Sequence, residues 1–256
     1  MTRIAFSEEN NEIIKEAIKR AQDKFDDFEP VFANSLEEAC ARVRDGEADA
    51  LVTGIDYTSR EVILSCRDII GKSSRTFSAS FVLERDNEVY VLGDAAACKN
   101  PTEEQLYDIV IQTYQTAKAI LKDEPRLAVL SFSTLGSGGN DSSISKTRNV
   151  VNRIHEDHPE IQIDGELQLD AAIVKEIGDK KAPGSTVAGK ANVLIMPDLN
   201  SGNILYKAME HFGGFTAAGP ILQGFNAPAS DLSRGSSVED VLKVIEVELE
   251  LVRNGA

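Results

Sequence analysis

An arginine flanked by a serine and a glycine can handle a phosphate group, and Ser233, Arg234 and Gly235 stand in that order. A guanidinium presents a planar fork to phosphate oxygens, a hydroxyl donates a hydrogen bond, and a glycine lets an anion approach the backbone. A second set, Asn200, Gly202, Asn203 and Lys207, follows the apolar run Val193–Met196 and Pro197. A buried strand running into a turn and a helix start would present backbone N–H groups to an anion there, with Lys207 one turn beyond Asn203 on about the same side. A third set, Ser133, Thr134, Gly136 and Ser137, follows the apolar Leu127–Ser131. That is the strand end where open α/β sheets bind ligands. Each set also has a structural reading. The glycine-rich stretch after Ser133 fits a flexible turn, Asn200 and Asn203 fit a solvated helix start, and Ser237 to Asp240 fits a capping box for the last helix.

The elements that must position these residues are visible as periodicity. Ile13, Ile14, Ala17, Ile18, Ala21 and Phe25 recur at helical spacing, as do Leu36, Ala39, Cys40 and Val43 before Gly46, a helix-ending glycine. Ala50–Thr53 reads as a short buried strand and residues 59–70 as a helix. Phe77–Leu83 and Val89–Leu92 read as a strand pair across the charged turn Glu84–Glu88. Thr102 opens a capping box for a helix through Leu121; a helix from about 142, a strand near Glu166–Leu169 and a helix from Asp170 follow. Val238, Leu242, Ile245, Leu249 and Val252 mark a final amphipathic helix. This alternation predicts α/β architecture, parallel sheet covered by helices.

At 256 residues the chain suits two α/β lobes or one large α/β domain. Its net charge of -15 argues against a nucleic-acid surface or an anionic membrane as partner. Cys40, Cys66 and Cys98 form no metal or redox motif and fit buried thiols in a reducing cytoplasm. No apolar run approaches the roughly 20 residues of a membrane helix, and Met1–Phe6 lacks a signal-peptide pattern, so a soluble cytoplasmic protein is expected. His155 and His158 lack a third ligand signal, and no metal is expected. Asp164 and Glu166 fall on one face of a strand rather than across a cleft, which excludes a glycosidase pair. Tyr206 and Phe212 read as core or interface residues.

Four ordered segments, Asp164–Ala172, Lys181–Val193, Pro197–Ile204, and Gly219–Gly224 with Asp231–Gly235, resemble the phosphotransacetylase family. The resemblance is strongest from Ala128 to Asp240; upstream, Ile4–Ala17 and Ala48–Gly54 look like the family's opening strand–helix and buried strand, with a shortened segment between. It implies two α/β lobes of the isocitrate/isopropylmalate dehydrogenase-like type around a cleft, with one lobe at residues 1–75 plus 226–256 and the other at 76–225. It implies acyl transfer between acetyl-CoA plus phosphate and acetyl phosphate plus CoA, a homodimer, CoA as substrate, and no tightly bound cofactor. By the same resemblance Asp240 accepts the CoA thiol proton, Arg234 holds phosphate, and Ser233 donates to the oxygen that gains charge.

Three positions depart from the family pattern. Leu135 stands where the family commonly has lysine, His211 where it has an arginine, and Leu64 where a helix carries arginine. Among Arg60, Arg67 and Arg75, the last is the preferred substitute because it precedes a strand. The segment Leu205–Phe212 is similar to phosphotransbutyrylases, so butyryl or another short acyl group is an alternative. A non-catalytic acyl-CoA sensor is a second alternative, which the altered cationic positions favour and Ser233, Arg234 and Asp240 oppose.

Overall fold

The computed structural model describes residues 1–255, which fall into two compact units: Met1–Ala79 together with the segment from Thr216 onward, and Ser80–Phe215. In the first unit, β1 (Thr2–Phe6), α1 (Glu12–Lys24), β2 (Phe28–Phe32), α2 (Leu36–Arg44), β3 (Ala50–Thr53) and α3 (Ser59–Ser65) alternate, and a π-helical turn, Cys66–Ile70, extends α3. The expected helix over 59–70 is therefore one helix with a change of winding. The local signals act as chemistry requires. The Asn11 side chain caps α1, Ser35 caps α2, and Gly46 follows α2 with φ +74. Ile14, Ala17, Ile18 and Ala21 are the buried stripe of α1.

The second unit contains β4 (Ser78–Arg85), β5 (Glu88–Gly93), α4 (Glu103–Ile120), β6 (Arg126–Leu130), α5 (Ser142–Asp157), β7 (Gln162–Leu167), α6 (Leu169–Ile173), α7 (Lys175–Lys181), β8 (Val193–Ile195) and α8 (Leu199–His211). Thr102 makes the expected capping box with Gln105 at the start of α4. The strand expected near Glu166–Leu169 begins earlier, at Gln162, and Leu169 already belongs to α6. Polar Gln162 and Asp164 disguise its first half. The chain returns to the first unit with β9 (Thr216–Gln223), β10 (Ala229–Asp231) and α9 (Val238–Asn254).

Within the first unit the strand order is β2-β1-β3-β10-β9, parallel except for the antiparallel β9–β10 pair. Within the second it is β4-β5-β8-β6-β7, where β4 and β5 form an antiparallel hairpin and the remaining pairs are parallel. Parallel strands align their carboxyl ends, so each unit gathers its strand-to-helix connections on one edge. In the first unit these are the segments after Phe6, Phe32, Thr53 and Asp231; in the second, those after Gly93, Leu130, Leu167 and Ile195.

Candidate active site

The connection from β10 to α9 carries Ser233, Arg234 and Asp240. It leaves the sheet beside β3, since Leu232 N–H donates to the Thr53 carbonyl at 2.6 Å. Gly54 permits that approach: its φ is +125, and a β-carbon there would stand 2.5 Å from Leu232 N and 2.6 Å from Asp231 Oδ1. Ser233, Arg234 and Gly235 are exposed. Ser233 Oγ accepts from Gly235 N–H at 3.3 Å, and the Ser233 carbonyl accepts from Ser236 N–H at 2.9 Å. The Arg234 charge reaches Glu61 of α3, whose carboxyl is held below its ordinary range chiefly by the Thr58 hydroxyl and N–H and further by this guanidinium. Asp240 lies in the first turn of α9. Its Oδ2 accepts from Ser237 N–H at 2.7 Å and Ser237 O–H at 2.9 Å, while Asp240 N–H donates to Ser237 Oγ at 3.2 Å. The capping box is real, and it fixes the orientation of the carboxylate.

Arg75 lies elsewhere in this unit, exposed on the segment before β4. That segment is pinned by Ser73 N–H and Ser74 N–H donating to the Gly224 carbonyl at 3.0 and 3.3 Å, and by Phe77 stacked on Phe225. Leu64, the altered family position, is half-buried on α3.

Three carboxyl groups are buried beneath the same edge. Glu8 accepts from Gly54 N–H at 3.1 Å and Asp56 N–H at 2.8 Å, tying the β1–α1 connection to the β3–α3 connection. Burial pushes its pKa up against those bonds. Asp231 is pushed up to about 6 by burial, opposed by the Ser59 hydroxyl. Glu248, on the inner face of α9, is pushed up to about 8 by burial, with the Ser230 hydroxyl as its hydrogen-bond donor. A cavity of about 420 Å³ opens at this edge, lined by Ser7, Glu8, Asn11, Asn34, Asp56 and Tyr57 among others.

In the second unit, Ser133, Thr134, Gly136 and Ser137 share the β6–α5 connection, but not as a flexible turn. Glu166, fully buried on β7, organises it: its Oε1 accepts from Ser133 O–H at 2.8 Å and Gly136 N–H at 2.7 Å. Arg148 of α5 closes the arrangement, donating from Nε to Oε2 at 2.8 Å and from Nη2 to Oε1 at 3.1 Å. Burial works to raise the Glu166 pKa, but Arg148, the Gly136 N–H and the Ser133 hydroxyl outweigh it and hold the group at about 2. Thr134 Oγ1 accepts from Gln168 N–H at 3.0 Å, and Ser137 Oγ from Thr134 N–H at 3.0 Å. Ser133 and Thr134 are buried, so their hydroxyls brace the loop, while Gly136 and Ser137 face outward. Leu135 adopts a left-handed φ of +43 with its side chain exposed.

Asn200, Asn203 and Lys207 line up along α8, on helical spacing. Asn200 and Lys207 are exposed and Asn203 is half-buried. The expected anion turn before them is altered by Asp198, whose carboxylate takes the Ser201 N–H at 2.9 Å. Gly202 serves packing: a β-carbon there would stand 2.5 Å from the Asp94 carbonyl. Tyr206 stacks on Phe81, with ring centroids 4.1 Å apart, and Lys207 Nζ lies 4.8 Å from the Tyr206 ring centroid. Phe212, expected in core or interface, is 93% exposed, and His211 is exposed with Nε2 3.7 Å from Glu210.

The residues the sequence reading missed are Glu166, as an organiser, and Arg148. One signal was present: a glutamate between Gly165 and Leu167 in an otherwise buried strand segment requires a partner. Nothing local names Arg148, which lies 18 residues upstream on α5.

Residues 2–248 match the family described as Phosphate acetyl/butaryl transferase. A phosphate acetyltransferase of Treponema pallidum is 42% identical over 224 residues, covering 84% of this chain and 67% of the relative. One of Thermoanaerobacterium thermosaccharolyticum is 42% identical over 214 residues, covering 80% of this chain and 65% of the relative. The chain thus spans about two thirds of the length of these curated relatives. Among solved structures, a phosphotransacetylase from Streptococcus pyogenes superposes with a TM-score of 0.88 at 31% identity, covering 98% of this chain and 94% of that one.

Proposed function

The chain belongs to the Phosphate acetyl/butaryl transferase family, and on that premise we propose that it is an acyltransferase interconverting acetyl-CoA plus phosphate with acetyl phosphate plus CoA. The observation that carries this reading is the β10–α9 connection, where an exposed Arg234 and Ser233 share one short segment with an oriented Asp240. In the direction of thioester formation, the Asp240 carboxylate takes the thiol proton and the thiolate attacks the acyl carbon. The carbon–oxygen bond to phosphate then breaks and phosphate leaves with the bond's electrons. Because Oδ2 carries both cap bonds, Oδ1 is the proton acceptor. Arg234 holds the phosphate through its guanidinium edge. Ser233 Oγ accepts from Gly235 N–H and so keeps its own hydrogen to donate to the developing oxyanion.

Gly136, Ser137, Asn200, Asn203, Lys207 and Arg75 contribute to substrate binding in this reading, with Ser133 and Thr134 acting from beneath. CoA enters as a substrate rather than a resident cofactor. The protein is a cytoplasmic homodimer: the substrates are intracellular metabolites, and Ile204 of α8 and Phe212 just beyond it are exposed, apolar surface that a second copy would cover. No helix among the described residues is long and apolar enough to cross a membrane.

The test is CoA thioester formation by purified protein from acetyl phosphate and CoA, with butyryl phosphate in parallel. The expected result is turnover with acetyl phosphate that falls at least ~10²-fold in Arg234→Ala. Faster turnover of butyryl phosphate would move the acyl preference. Acetyl-CoA binding without turnover would replace the enzyme by a sensor.

A further inference from the structure

The hydrogen bonds of the β6–α5 loop limit how it can hold an anion. Every backbone N–H from Ser133 to Gly139 already has an acceptor within the protein. Ser133 N–H donates to Ser131 Oγ, Thr134 N–H to Ser137 Oγ, Gly136 N–H to the Glu166 carboxylate and Gly138 N–H to Ser133 Oγ. Leu135, Ser137 and Gly139 donate to the carbonyls of Glu166, Thr134 and Gly136. A glycine-rich loop whose amides are all occupied is no anion nest. Leu135 adds no charge either.

The cation packed on this loop is Arg148. Its Nη2 lies 3.1 Å from where a β-carbon of Gly136 would be. Its side chain stays 41% exposed while its partner Glu166 is 0% exposed. Glu166 engages Nε and Nη2, and a guanidinium has five N–H donors, so the Nη1 hydrogens lie outside the ion pair.

We propose that Arg148 is the anion-contacting side chain of this loop: held in plane by Glu166, it donates its remaining N–H groups to a phosphate group of the substrate, in place of backbone amides and of a lysine at position 135. This rests on the acyl phosphate and CoA reading above. Two sources carry the recognised chemistry, the phosphate that is transferred and the phosphates of CoA. Lysine is no substitute, because one ammonium cannot pair bidentately with Glu166 and still present a planar edge.

The test uses the purified full chain and two variants, Arg148→Lys and the double variant Arg148→Met/Glu166→Gln. In the double variant the new amide oxygen still accepts from Ser133 and Gly136, so the loop keeps its frame while both charges go. Calorimetric titration with inorganic phosphate, CoA and dephospho-CoA is expected to show affinity for one phosphate-bearing ligand reduced about tenfold to hundredfold, the value of charge-assisted hydrogen bonds. KM for that substrate rises by the same factor with kcat little changed. Weakened inorganic phosphate assigns the transferred group; weakened CoA with dephospho-CoA unaffected assigns the CoA 3′-phosphate, and weakening of both forms assigns its pyrophosphate. Unchanged affinity for all three ligands in a double variant that melts like wild type overturns the proposal. Should the double variant fail to fold, full affinity in Arg148→Lys overturns it equally. Binding is read without turnover, so a wild-type protein that binds these ligands but transfers no acyl group would sink the transferase reading and leave this test standing.

Discussion

The two units bury carboxylates in opposite ways. Glu166 in the second unit is fully buried yet ionised, because Arg148, a hydroxyl and a backbone N–H converge on it and hold it at about 2. Glu248 in the first unit is equally buried, but its hydrogen-bond donor is the Ser230 hydroxyl and burial pushes it to about 8. Both side chains are closed to solvent, and the partners each one meets set its charge state. The connections above them differ in the same sense. The β6–α5 loop is bolted from beneath by an ion pair, whereas the β10–α9 connection holds Ser233 and Arg234 out to solvent and orients Asp240 through a helix cap. One connection is thus braced from beneath, and the other leaves its serine and arginine open to solvent.

Breaking the frame gives the largest expected effect on stability. Glu166→Ala removes the acceptor of Ser133 O–H and Gly136 N–H and should cost about 3 kcal/mol in urea unfolding, the low end for a buried pair since Arg148 is half-exposed. An unchanged midpoint would dissolve the contrast between the units. The pH dependence sharpens it. Glu166 has a depressed pKa, so its contribution is present above the ordinary carboxylate value and is lost as pH falls toward 2. Glu248 has a raised pKa, so the folded state stays protonated while the unfolded chain ionises, and stability falls as pH rises from about 4.5 to about 8. Glu248→Gln should flatten that slope, measured as unfolding free energy across the range. Smallest is Ser237→Ala, which should cost about 1 kcal/mol by removing the cap. It should also lower turnover, since Asp240 loses its orientation.

Much of the architecture was legible because apolar spacing and caps are local. The stripe of α1, the Thr102 capping box and the Ser237–Asp240 box all appear where the sequence placed them. Three strands carried no readable pattern. Phe28–Phe32 contains Glu29 and Pro30 and sits at a sheet edge, Thr216–Gln223 is rich in alanine and glycine with Pro220 inside it, and Ala229–Asp231 is only 3 residues long. Sheet pairing, rather than propensity, makes them strands. Ser233, Arg234 and Asp240 were joined by the family resemblance, since the local pattern of Ser237–Asp240 alone reads as a helix cap. The Arg148–Glu166 pair was not readable, because it joins a helix to a strand across 18 residues and depends on which faces meet.

The most direct measurement is the rate of thioester formation by Asp240→Asn against wild type, with melting temperature measured on the same samples. Asparagine keeps an oxygen for the Ser237 cap but cannot take a proton, so the two roles of this residue separate. A fall in kcat of at least ~10²-fold with unchanged melting is the expected result. Wild-type turnover in that variant would contradict the account and leave Asp240 a helix cap alone.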